Sequence, residues 1–182
     1  IRLDRSKFTT VYDASGKHVY PGFIALNTNL GLAEIEAARA TVDYADIGQY
    51  NPNLRAIIAY NTDSDVIPTV RSNGVLMAQV TPQGGTISGS SSVVQLDAWN
   101  WEDATYLAEE GLHLNWPQMR TFGGWETGSP EMKKNDQYEK DVQALRRFFE
   151  EAKAYAQQPA PEVKNLRFEA MRALFNQKSS GV

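Results

Sequence analysis

The chain has 182 residues, 42% of them hydrophobic, which is enough for one sizeable core and too little for two comfortable ones. A formal net charge of -4 offers no basic face for a phosphate backbone, so nucleic acid is disfavoured as a partner. There is no cysteine, hence no disulfide and no thiolate metal site, and no apolar run reaches the roughly 20 residues that a membrane-spanning helix needs.

Residues 8–20 alternate as strands do, with Phe8-Thr9-Thr10-Val11-Tyr12-Asp13 and His18-Val19-Tyr20 flanking the turn Ala14-Ser15-Gly16-Lys17; this pattern predicts a hairpin. Phe23 to Leu26 is a short apolar run between Pro21-Gly22 and the polar Asn27-Thr28-Asn29, the pattern of a buried parallel strand that ends at a functional edge. Apolar residues at 32, 35, 38 and 42 predict a helix over residues 32–47, and Asn51-Pro52-Asn53 ends it. The apolar stretch 54–60 fits helix or strand. Asn61-Thr62-Asp63-Ser64 then offers N-caps, Val66, Ile67 and Val70 an apolar stripe, and Asn73-Gly74 a C-terminal stop, with Pro68 tolerable in a first turn.

Val75 to Val80 predicts a second strand, followed by the glycine-rich loop 81–92 and a further strand at 93–96. Helix, glycine, strand and glycine-rich loop is the rhythm of an α/β fold. Residues 97–129 carry Trp99, Trp101, Trp116 and Trp125 and read as loops in which the tryptophans are packing anchors or, less expectedly, ligand-stacking platforms. Residues 130–157 predict an amphipathic helix on Tyr138, Val142, Leu145, Phe149 and Ala152, and a last helix over 162–177 uses Val163, Leu166, Ala170 and Leu174. The pairs Lys133-Lys134, Glu109-Glu110 and Glu150-Glu151 read as solvated helix faces.

Three segments in order resemble the amidohydrolase superfamily, in particular its imidazolonepropionase-like members. The passage Val11 to Ile24, ending Tyr20-Pro21-Gly22-Phe23-Ile24, resembles the family's entry from a small β-sandwich into the first strand of its barrel. Asn73-Gly74-Val75 resembles the entry to strand two, and Pro82-Gln83-Gly84-Gly85-Thr86-Ile87-Ser88-Gly89 resembles the glycine-rich loop after it. In the family, strand one carries His-x-His, two imidazoles on one side of a strand that grip a divalent metal. At those positions this chain has Asn27 and Asn29, which makes the motif degenerate.

The resemblance therefore implies an α/β fold: residues 1–20 as the tail of a β-sandwich, and residues 21–182 as the first βα units of an incomplete TIM-like amidohydrolase barrel, since eight such units take about 250 residues. It implies a parent hydrolase acting on a carbon–nitrogen bond of a small amide or peptide-like molecule. This chain alone would be inactive and metal-free, a divalent metal being possible in the full-length parent. The alternative is a binding or assembly member that has lost the metal site. Catalytic residues are not expected here; Gln83, Gly84, Gly85, Ser88 and Gly89 are the candidate substrate loop. That loop lacks the lysine of a P-loop, the spacing of a dinucleotide fingerprint and the Gly-x-Ser-x-Gly of a nucleophile elbow. His18 and His113 have no second ligand at metal spacing and are not expected to bind one. A homo-oligomer is expected from the unclosed sheet, and the resemblance leans toward an exported or periplasmic protein.

Overall fold

The structure, a computed structural model, describes residues 9–35, 37–123, 131–159 and 163–176. Phe8, Trp125 and both ends of the predicted last helix, Glu162 and Gln177, lie outside them. The centre is a four-stranded sheet in the order β1 (Phe23–Thr28), β2 (Val75–Val80), β3 (Ile87–Gln95) and β4 (Thr105–Leu114). β1 and β2 are parallel, as the helix–glycine–strand rhythm predicts; β2–β3 and β3–β4 are antiparallel. The further strand read at 93–96 is thus the end of a longer β3 that runs antiparallel to β2, and the sheet is mixed and open among the described residues. A barrel is not shown.

Between β1 and β2, helix α1 (Val66–Ser72) forms where expected, with Pro68 in its first turn, where a missing N–H breaks no intrahelical bond. Gly74, at φ 88°, turns the chain into β2 and donates its N–H to the Arg71 carbonyl at 2.9 Å. Asp65, and none of the four expected caps, precedes the helix.

The helix predicted over 32–47 is absent from the described part of that span, which holds a 3-10 turn at Arg39–Thr41, an antiparallel bridge from Ala33 to Val42 and a parallel bridge from Ala45 to Gln83. The Thr41 hydroxyl bonds the carbonyls of Ile35 and Ala38 and accepts from the Ile35 N–H, taking backbone groups that a helix would use. The ambiguous stretch 54–60 resolves as a 3-10 turn, Ala56–Ala59. It carries Ile57 into the core beside Tyr60, Leu32 and Ile67, against Ala78, Val80 and Val94 of the sheet.

Residues 9–22 form no strand. The turn itself is made, with Lys17 N–H on the Ala14 carbonyl at 2.9 Å. Its flanks, Tyr12 and Val19, are exposed, and a two-stranded hairpin without a face to bury is marginal in water.

After a single helical turn, α2 (Trp101–Ala104), β4 occupies the span read as loop. A small hairpin of β5 (Arg120–Gly123) and β6 (Glu131–Lys134) follows, so Lys133-Lys134 lies on a strand and Glu109-Glu110 on β4, not on helices. The amphipathic helix α3 (Tyr138–Ala156) starts eight residues later than predicted and buries the expected Val142, Leu145 and Ala152. Helix α4 (Leu166–Asn176) packs on α3 through a different face from the predicted one. Val163, Leu166 and Leu174 are exposed, while Met171 is fully buried and the Phe168 ring lies 5.3 Å from Phe148 and 5.6 Å from Tyr155. Polar bonds select that face. Tyr155 donates to Glu169 at 2.7 Å, Arg172 pairs with Glu169 at 3.1 Å, and the Arg172 guanidinium sits 5.2 Å from the centre of the Tyr155 ring. No helix among the described residues is long and apolar enough to cross a membrane.

Burial raises the Tyr60 phenol from an ordinary value near 10 to about 12. Below pH 10 the phenol is neutral in both folded and unfolded chains and full stability is present. Between pH 10 and 12 the unfolded chain ionises first, so stability falls, by about 2 kcal/mol across the window. Urea unfolding at pH 9 and pH 11.5 is expected to show this loss in the wild type and much less of it in Tyr60→Phe.

Candidate functional site

The C-terminal ends of the parallel strands β1 and β2 open onto a cavity of about 430 Å³ lined by Asn27, Thr81, Gln83, Ser88, His113 and Asn115, with Gly84 at its edge. Such strand ends are where α/β folds place their sites, because loops there are free to vary without disturbing the sheet.

Asn27 enters this mouth with its backbone at φ 52°, the one non-glycine residue with positive φ among the described residues. Asparagine tolerates that region better than most side chains. The conformation is fixed by its N–H, which donates to Gln79 Oε1 at 3.0 Å, and the β1–β2 register shifts between Ala25 and Thr28. Side-chain alternation is therefore interrupted at Asn27, so that residues 27 and 29 are not related as two residues on one side of a regular strand. Asn29 instead begins a turn, its carbonyl accepting the Leu32 N–H at 2.9 Å, and it does not line the cavity.

The glycine-rich loop divides in the same way. Gln83 and Gly84 reach the mouth, and the loop is clamped to the preceding excursion by Gln83 N–H on the Tyr44 carbonyl at 2.6 Å and Thr86 N–H on the Gln49 carbonyl at 2.7 Å. Gly85 stays outside the lining. A β-carbon there would lie 2.7 Å from the Gly48 carbonyl oxygen, and its own carbonyl accepts from Asn115 at 2.9 Å. Ser88 and Gly89 belong to β3, not to a loop. Ser88 lines the mouth; Gly89 backs onto Leu54.

His113 and Asn115, which composition and spacing left aside, complete the lining from the end of β4 and just beyond it. Had Leu112-His113-Leu114-Asn115 been read as an alternating strand end, both polar residues would have fallen on one side. Burial pushes the His113 imidazole below its ordinary value, and the Glu110 carboxylate nearby pulls the other way. Thr81 is buried, and its hydroxyl has no hydrogen-bond partner among the described residues. Behind the mouth a polar ladder crosses all four strands: Gln79 donates to Glu110 at 2.6 Å while taking the Asn27 N–H, and Ser91 donates to the same Glu110 oxygen at 2.9 Å. His18 lies far from this in sequence placement, stacked beside Tyr20 at 6.2 Å on the exposed entry segment.

The amides at 27 and 29 do not fit the first half of a His-x-His metal site. Asparagine lacks the imidazole nitrogen that zinc, iron and nickel favour, and the backbone at 27 does not hold strand geometry. Among the described residues, no three of His, Cys, Asp or Glu are grouped closely enough to hold an ion. Replacing both asparagines by histidine is therefore expected to leave zinc affinity within about threefold of wild type, since two misaligned ligands supply little of a tetrahedral site. Isothermal titration with zinc checks this, and one tightly held zinc per chain in the double variant would refute it.

No family model matches the sequence, and no curated protein matches it. Among solved structures, an amidohydrolase from Thermotoga maritima MSB8 is similar in fold, with a TM-score of 0.65 at 18% identity, over 88% of this chain and 45% of that one. The chain thus spans less than half of that protein's length, and what the two share is the fold of part of an amidohydrolase.

Proposed function

We propose that this chain is the first part of an amidohydrolase-superfamily protein of the imidazolonepropionase-like kind, whose parent acts on a carbon–nitrogen bond in a small amide or peptide-like molecule. In this reading the chain contributes binding groups and is catalytically incomplete alone; a divalent metal, if the parent uses one, would be held by residues on other strands. The observation that carries the proposal is the hydrogen-bonding mouth at the ends of the parallel β1 and β2, where Asn27, Gln83 and Ser88 converge. Amide and hydroxyl groups, each able to donate and accept, match the paired donor and acceptor of a peptide unit.

The interrupted strand at Asn27 favours a second reading, a family member that binds without hydrolysing. The residues carried by the parent's remaining strands discriminate the two, since histidines and an aspartate there favour the enzyme.

Chemical-shift mapping of this chain with hydantoin, a small cyclic amide, tests the binding role common to both. Perturbations are expected at residues 27–30 and 81–88. A response confined to other segments, or none at millimolar hydantoin, would refute it.

A further inference from the structure

The mouth has a recognition pair that neither strand one nor the glycine-rich loop supplies. Asn115 uses its amide NH2 twice, on the Gly85 carbonyl at 2.9 Å and the Ser88 hydroxyl at 3.0 Å. Both donors are thereby committed, and the Oδ1 oxygen is the group left to accept. His113, two residues earlier, lines the same cavity, and a neutral imidazole offers one N–H donor. Two residues of strand separate such groups by about 7 Å, the width of a small ring carrying an amide on each edge.

Among the described residues no Asp, Glu, Lys or Arg lines this cavity. A charged ligand would therefore meet no counter-charge in the lining.

We propose that His113 and Asn115 are the specificity-determining residues of the mouth, His113 donating to a ligand carbonyl and Asn115 Oδ1 accepting a ligand N–H, so that the site selects uncharged amides over carboxylates of the same size. This rests on the amide-binding reading above and assigns the selection to β4, outside the parallel strands.

The experiment titrates the full chain with hydantoin and, separately, with N-acetylglycine, whose carboxylate replaces one amide edge. Wild type is expected to bind hydantoin at least about tenfold more tightly, the worth of one good hydrogen bond. His113→Ala is expected to lose about tenfold for hydantoin, and His113→Gln, which keeps an N–H donor, to stay within about threefold of wild type. Asn115→Ala is the companion variant, with its fold checked by circular dichroism because Asn115 also holds Gly85 and Ser88. Undiminished hydantoin binding by His113→Ala, or equal affinity for N-acetylglycine in wild type, overturns the assignment to β4 while leaving the amide-binding mouth standing. Wild type that binds neither compound overturns both.

Discussion

Gly89→Ala is expected to destabilise the chain by about 3 kcal/mol, a large share of the roughly 5–15 kcal/mol that holds a domain of this size together. Gly89 sits in β3 at φ 132°, a backbone state that side chains other than glycine rarely adopt. A β-carbon there would stand 2.8 Å from the Leu54 carbonyl oxygen and 2.9 Å from the Leu54 β-carbon. The carbonyl cannot retreat cheaply, because it accepts the Ser90 N–H at 2.8 Å and the Ser90 hydroxyl at 3.2 Å. Strain and steric conflict therefore add. Gly16→Ala is the control: its φ is also positive, at 75°, but nothing lies within 4 Å, so about 1 kcal/mol is expected. Urea unfolding of both variants checks the pair, and equal small losses would show that β3 can shift away from Leu54. Because Ser88 and Asn115 are coupled beside Gly89, a stable but shifted Gly89→Ala chain is also expected to weaken hydantoin binding.

How far the sequence could be read depended on whether local pattern or distant partners decided each element. Helix α3 was legible because its apolar stripe at 142, 145 and 152 is the face that tertiary packing uses. Helix α1, Gly74 and β2 were legible because proline, glycine and β-branched residues constrain the backbone locally. β3 was only partly legible, since Ser90-Ser91-Ser92 has loop composition and yet Ser91 and Ser92 are fully buried. Their hydroxyls bond Glu110 and the Ala108 carbonyl on β4, partners that no local window contains. β4 was missed for a related reason: most of its residues are exposed, so no clean apolar face marks it. That omission hid His113 and Asn115 from the candidate site. Asn27, Gln83 and Ser88 could be picked from the family-like segments, whereas His113 and Asn115 reach the mouth only through β3–β4 pairing, in which His113 faces Gly89 across the ladder. On α4 the stripe was real in sequence but not the one buried, because the bonds among Tyr155, Glu169 and Arg172 fix the opposite rotation.

The chain is expected to self-associate through β1, and Ile24→Lys combined with Leu26→Lys is expected to return it to monomer. β1 is hydrogen-bonded to β2 on one side and, among the described residues, pairs with no strand on the other. It is a parallel strand whose first four residues read as an unbroken apolar run, yet Phe23 is 69% exposed, Ile24 56% and Leu26 73%. Parallel strands are normally covered on both faces, and in a closed barrel the first strand meets the last. An open edge that presents both unpaired backbone groups and apolar side chains is the kind of surface a second copy can cover by strand pairing. Lysine at 24 and 26 leaves the β1–β2 hydrogen bonds in place while adding charge to the free surface, a device that natural edge strands use against pairing. Sedimentation velocity across a hundredfold dilution reads the outcome. Wild type is expected to shift from dimer toward monomer on dilution, with the double lysine variant monomeric throughout and equally resistant to urea. A wild type that stays monomeric at every concentration would mean that β1 needs no partner copy and that its apolar side chains are tolerated in water.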